Sequence, residues 1–454
     1  MKTFASWLWF ILISLAVSAC SIPEPGQLVV ISKPPAFRPK TPQEVKSLED
    51  AIAAVMTVCT KDLGLPVIEP YYLHLYKDAN AYAAYTYGFA RMDQSMVRLT
   101  WAQPQETRLH VNLERLGGVS WGTLLRFLAH EYAHNIEDVV IGGTHGWNQW
   151  IREGFADWVA AKVMDSLGWE SYASSLARTE RALARHGASL PKFSELEQTR
   201  QWVRVVDRPK GKIQAYGLAL LAVHRLIEKK GVAGMREYFR SENFSASFGL
   251  SWGDFEREME GVVKDLVARN TAKKSGLKAE PRPEWKSGYQ WQYAVKGLGA
   301  RGRSTNEVVR EEIFDGVPAY ILRLGANDYI HTKDTLALSA TLSGGKTITK
   351  NSPPLLWLSW PLAASKEWRN TSVVENLEQK SSQRMDVETV VAGVEEILVP
   401  AGRFEAYRIE TYNFHTGELM FEQWYAPRVK WVVKSKDYRQ EGVIEQELQS
   451  FKID

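Results

Sequence analysis

Apolar positions recur at helical spacing through roughly the first 270 residues, then switch to strict alternation, and this change of period organises the chain. The pattern predicts a first helix over 42–62. Two alternating stretches, Tyr71-Tyr72-Leu73-His74-Leu75-Tyr76 and Arg108-Leu109-His110-Val111-Asn112-Leu113, predict strands. Leu124, Leu125, Phe127 and Leu128 open a long helix, with Ser120 or Thr123 as its N-cap. A glycine-rich loop, Gly142 to Gly146, separates it from a helix over 148–167, and helical patterns continue over 170–186, 213–230, 232–240 and 252–269. Residues 271–284 are rich in Lys, Pro and Gly and are predicted to be a linker. From 285 to 454, short β-rich runs are punctuated by turns at Gly316, Gly344-Gly345, Ala401-Gly402 and Thr416-Gly417, which predicts an antiparallel β domain. A chain of 454 residues exceeds what one core supports. The expected class is α+β: a mainly helical domain over 41–270 with a small N-terminal sheet, followed by a β-rich domain.

The N-terminus carries a separate signal. Lys2 precedes an apolar run from Phe4 to Val17, too short to span a bilayer and suited to a signal peptide. It ends Val17-Ser18-Ala19-Cys20, which resembles a bacterial lipobox; residues 1–20 are then a lipoprotein signal peptide and Cys20 the acylated mature N-terminus. Two or three acyl chains on one cysteine anchor stably. Ser21 follows rather than Asp, so the resemblance implies the periplasmic face of the outer membrane. Residues 21–40, with five prolines, are expected to form a tether. The one other cysteine, Cys59, lies in an apolar stretch and is expected to be a buried small hydrophobe.

Composition narrows partners. With 56 basic and 53 acidic residues, a net charge of +3 and no basic block, the chain has no nucleic-acid signature.

The chemistry is concentrated in His130-Glu131-Tyr132-Ala133-His134 and, after eighteen intervening residues, Glu153. Histidines four apart on a helix leave the same face and can grip one metal ion. Glu153 can add a third ligand from the next helix, leaving one position open, which is the pattern of a catalytic zinc site. Glu131 sits where it can reach a metal-activated water without ligating. Two His and one carboxylate also describe non-haem iron sites, but those lack the adjacent glutamate base, so one Zn²⁺ per chain is expected.

His-Glu-x-x-His, the eighteen-residue spacer and Trp150-Ile151-Arg152-Glu153-Gly154-Phe155-Ala156-Asp157 together resemble the gluzincin metallopeptidases of the peptidase MA clan, closest to the aminopeptidase N-like family. The resemblance spans about residues 45–270. It implies zinc on His130, His134 and Glu153, with Glu131 as general base. It also implies Asp157, one turn after Glu153, as the carboxylate that orients a zinc-bound histidine. Ala215-Tyr216-Gly217 resembles the helix carrying the family's oxyanion-stabilising tyrosine, but the motif's tyrosine position falls on Gln214. Tyr216 thus either reaches the oxyanion or packs as an aromatic. No Gly-x-Met-Glu-Asn sequence precedes His130, so aminopeptidase specificity is not implied. The metzincin pattern is excluded by Glu137 and Val140.

His145, in the glycine-rich loop between the two metal helices, either lines the substrate cleft or is an exposed loop histidine; His74, His110, His186, His224, His331 and His415 have no metal-ligand spacing. Val399-Pro400-Ala401-Gly402-Arg403-Phe404 and Trp424-Tyr425-Ala426-Pro427 resemble a β-rich module of bacterial envelope lipoproteins, and its tryptophans are expected in the core. The sequence therefore predicts a lipid-anchored envelope zinc metallopeptidase acting on a peptide or protein substrate. The alternative is a non-catalytic envelope lipoprotein that uses both domains for binding or assembly.

Overall fold

In a computed structural model of the chain, the described residues are 27–32, 36–86, 100–116, 119–141, 148–272, 279–363 and 366–453. Cys20, the loop histidine His145 and the signal peptide lie outside them. The chain divides into two compact units near residue 267.

The first unit contains a four-stranded sheet of β1 (Leu28–Ile31), β2 (Tyr71–Tyr76), β3 (Ala102–Gln105) and β4 (Arg108–Asn112), in the order β1-β2-β4-β3. The central pair is parallel, with Leu73 opposite Leu109 and Leu75 opposite Val111; the outer pairs are antiparallel. Alternation in β2 sends Tyr71, Leu73 and Leu75 into the core. The helices are α1 (Leu48–Lys61), α2 (Ala79–Thr86), α3 (Leu113–Leu116), α4 (Trp121–Ile141), α5 (Gln149–Ser166), α6 (Tyr172–His186), α7 (Thr199–Val206), α8 (Gly211–Ser241), α9 (Phe244–Phe248) and α10 (Trp252–Ala272). Ser47 caps α1 by accepting from Asp50 N at 3.1 Å, and Ser120 accepts from Thr123 N at 3.1 Å at the start of α4. The two helical patterns at 213–230 and 232–240 are two helical runs within α8, separated by a kink where Gly231 takes φ 62°.

Helix α4 lies against the sheet: Tyr71 donates to Asn135 Oδ1 at 2.8 Å, and the Tyr71 and Tyr132 rings meet edge to face at 5.3 Å. Helix α5 is buried on nearly all sides, with Trp150, Ile151, Ala156 and Val159 fully enclosed. Its Gly154 permits close approach of α8: a Cβ there would lie 2.4 Å from the Ala219 carbonyl oxygen. Cys59 is buried, and burial pushes its thiol pKa far up, as for an inert core residue.

Two predicted boundaries need correction. The tether expected over 21–40 is not free along its described part. Leu28–Ile31 pairs with Tyr71–His74, and the Lys40 carbonyl accepts from Trp169 Nε1 at 3.2 Å. Four consecutive β-formers, flanked rather than interrupted by proline, suffice for an edge strand. The linker expected over 271–284 is also shorter. Helix α10 continues to Ala272, and Glu280 forms a backbone bridge with Leu362.

The second unit is a closed antiparallel barrel of twelve strands, from β5 (Gln290–Gly297) to β16 (Gly442–Lys452). Each strand pairs with its sequence neighbour, and β16 closes on β5. The predicted turns at Gly316, Gly344-Gly345, Gly402 and Gly417 sit at hairpin connections, all with positive φ. Trp291, Tyr293 and Val295 of β5 face inward. Trp291 donates to the Val429 carbonyl and Tyr293 to the Val432 carbonyl. Trp285, Trp357, Trp424 and Trp431 are buried in the same cluster, and Trp360 and Trp368 pack against it partly buried. Among the described residues no helix is long and apolar enough to cross a membrane.

Candidate metal centre

The 3.6-residue repeat of α4 places His130 and His134 one turn apart on one side, and α5 brings Glu153 opposite them. His134 Nε2 lies 3.2 Å from His130 Nε2; Glu153 Oε2 lies 3.3 Å from His130 Nε2 and 3.8 Å from His134 Nε2. A tetrahedral zinc with bonds of about 2.05 Å has ligand–ligand edges of about 3.3 Å. The three donor atoms therefore form a triangle of the size one face of such a polyhedron requires. Among the described residues this is the one grouping of three potential metal ligands.

Each of the three donors is held from behind. Asp157 Oδ1 lies 2.9 Å from His130 Nδ1, and Glu137 Oε2 lies 3.0 Å from His134 Nδ1. Both imidazoles therefore turn Nε2 toward the common point. Arg152 Nε donates to the same Glu137 oxygen at 2.8 Å, and its Nη2 lies 3.3 Å from Asp138 Oδ1. Gln149 Nε2 donates to Glu153 Oε1 at 2.7 Å. Glu137, Arg152 and Gln149 were not singled out from the sequence. Only Glu137 carried a signal, its three-residue offset from His134 on the same helix.

The electrostatics favour a cation. Burial opposes protonation of His130, yet the hydrogen-bonded carboxylates of Asp157 and Glu153 raise its pKa well above the ordinary value. His134, buried beside Glu137 and Glu153, is raised to about 9. Burial pushes Glu153 up, but hydrogen bonds and charge from the two histidines outweigh it and hold the carboxyl below its usual range. The point where the three donors converge thus attracts positive charge. Two imidazole nitrogens and one carboxylate oxygen, with both Nδ1 atoms occupied by carboxylates, fit a zinc ion.

Glu131 lies beside the triangle, and burial raises its pKa against the pull of the histidines. Tyr216 reaches the neighbourhood from α8: its ring is 6.4 Å from that of His130 and packs edge to face on Trp202 at 4.9 Å. Burial, with Glu153 and Asp157 nearby, raises its hydroxyl pKa far above the ordinary value, although the Trp202 indole hydrogen-bonds to it. The hydroxyl therefore stays protonated and able to donate.

The sequence matches no family model, and no curated protein matches it. Solved structures with partial likeness include a protein described as exported, with a YmcC-like fold, from Bacteroides fragilis. It is 14% identical, covering 39% of this chain and 100% of that one at a TM-score of 0.23. A protein described as a lipoprotein from Parabacteroides distasonis is 12% identical, with 39% and 100% coverage and a score of 0.22. The hypothetical lipoprotein YmcC from Escherichia coli is 10% identical, with 41% and 95% coverage and a score of 0.23. Likeness at this level says nothing about activity.

Proposed function

We propose that the protein is a zinc-dependent hydrolase of peptide bonds, built on a gluzincin-like domain and lipid-anchored in the bacterial envelope through Cys20. The observation that carries the reading is the donor triangle of His130, His134 and Glu153, with edges of 3.2, 3.3 and 3.8 Å, beside the partly buried carboxylate of Glu131.

Bound there, zinc would supply a Lewis acid that polarises a substrate carbonyl and acidifies a water. Glu131 accepts the proton of the attacking water and passes it to the leaving amine, a role that its raised pKa suits. Tyr216, kept protonated, donates toward the oxyanion that develops on the carbonyl. Asp157 and Glu137 hold the imidazole orientations throughout.

A second reading has its own support. The barrel makes up much of the chain, and among its described residues no set of three metal ligands occurs. On that reading the protein binds or assembles rather than cuts. Glu131→Gln separates the two. It preserves shape, so zinc should stay at one ion per chain while hydrolysis of a mixed peptide library falls by about 10²–10⁴-fold. His134→Ala should lose metal and activity together. A Glu131→Gln protein that keeps wild-type hydrolysis with zinc bound refutes the mechanism; a wild type that binds zinc and cuts nothing favours the binding role.

A further inference from the structure

We infer that Gln149 is a positioning residue that makes Glu153 a one-oxygen ligand and so keeps a coordination position open. This deepens the metal-site reading above and rests on it. Glu153 turns Oε2 toward both histidine Nε2 atoms, while Oε1 accepts a 2.7 Å hydrogen bond from Gln149 Nε2. Gln149 stands four residues before Glu153 on α5, so the two side chains meet along one helix face.

The amide is itself held. Thr199 Oγ1, at the start of α7, donates to Gln149 Oε1 at 2.9 Å, and Gln149 N donates to the Glu197 carbonyl at 2.8 Å. The orientation is chemically dictated. A ligating carboxylate is an acceptor only, so the NH₂ end of Gln149 faces Glu153 and its oxygen faces the threonine hydroxyl. Glu153 is 9% exposed, and solvent competes poorly for Oε1. A carboxylate lacking such a restraint is free to rotate and chelate through both oxygens. With Oε1 engaged, three protein donors remain, which leaves a tetrahedral ion one position for water.

The test uses cobalt(II) in place of zinc, because four-coordinate cobalt absorbs far more strongly in the visible than five- or six-coordinate cobalt. Wild-type protein should bind one cobalt per chain with the strong, four-coordinate spectrum. Gln149→Leu should lose intensity severalfold as Glu153 chelates, and its zinc Kd in a competition titration should weaken by about 10–100-fold. Thr199→Val leaves Gln149 in place and should move both readouts the same way by less. It decides the matter if Gln149→Leu fails to fold. A wild-type spectrum with zinc affinity within about twofold in either folded variant overturns the role of Gln149, because supporting residues of this kind cost more than that. If the wild type takes up no cobalt, or His134→Ala binds it equally well, the metal site itself is wrong.

Discussion

Removing the Arg152 guanidinium is the sharpest test of how the centre is supported. Glu137 has no solvent exposure; it is held between His134 Nδ1 at 3.0 Å and Arg152 Nε at 2.8 Å, with Asp138 the second carboxylate on the same guanidinium. In Arg152→Met the aliphatic stem is kept and the charge removed, which leaves the buried Glu137 carboxylate with His134 alone against it. Losing one member of a buried pair costs about 3–5 kcal/mol. For a folded unit of this size each kcal/mol moves the unfolding midpoint by about 2–4 °C, so a fall of about 6–20 °C is expected.

The assay is thermal unfolding followed by circular dichroism at a helix-sensitive wavelength, with a chelator present so that metal linkage does not enter. The double variant Glu137→Leu/Arg152→Met removes both charges and should regain much of the lost midpoint, since replacing a buried pair by apolar groups is close to neutral. Its zinc affinity should nevertheless stay about 10–100-fold weak, because His134 Nδ1 then has no acceptor. Stability and metal affinity thus part company in one variant. A single Arg152→Met within about 0.5 kcal/mol of wild type, the range of ordinary surface changes, would refute the buried-pair argument. So would a double variant no more stable than the single.

Asp157→Ala should weaken zinc by about 10–100-fold with all three ligands present; unchanged affinity in a competition titration would show that the 2.9 Å contact with His130 does not orient it. Gly154→Ala should destabilise by about 1–3 kcal/mol in denaturant unfolding, because the added methyl meets the Ala219 carbonyl, which is backbone and cannot swing aside. His110 is held near pKa 3 by burial, with His74 and Arg108 adding to the effect. Its folded pKa is depressed, so below about pH 6.5 the unfolded chain takes up a proton that the folded one refuses, and stability falls by about 1.4 kcal/mol per pH unit. The stability advantage of wild type over His110→Gln should therefore shrink by about 2 kcal/mol between pH 6.5 and pH 5; an unchanged difference would place the titration elsewhere.

What the sequence revealed follows from which contacts are local. The spacing of His130 and His134, and the one-turn offset of Asp157 from Glu153, are properties of a single helix and can be read along the chain. Gln149 and Thr199 are fifty residues apart, and no period or motif connects them. Glu137 was visible in principle. A carboxylate near the end of a helix ordinarily faces water, however, and only the fold shows it fully buried under Arg152. In the barrel, alternation and turn glycines gave individual strands. Closure depends on β16 meeting β5, where Leu448 pairs with Tyr293, and that pairing has no local signal. The strand at Leu28–Ile31 was hidden for a compositional reason: prolines on both sides make its surroundings resemble a tether.

The three consecutive residues Arg152, Glu153 and Gly154 explain why so short a run is informative. Successive residues on a helix are turned by about 100°, so three in a row must face three different neighbours. Here Arg152 turns to Glu137 and Asp138 of α4, Glu153 to the donor triangle, and Gly154 to the Ala219 backbone of α8. On a surface helix at least one of these directions would point to solvent and accept many side chains. Helix α5 is enclosed, so each direction has its own requirement: a cation, a ligand and the absence of a side chain. The proposed metal ligand on such a helix cannot shift by one residue without exchanging all three requirements at once. The geometry of the centre is therefore fixed by packing around α5 as much as by the ligands themselves.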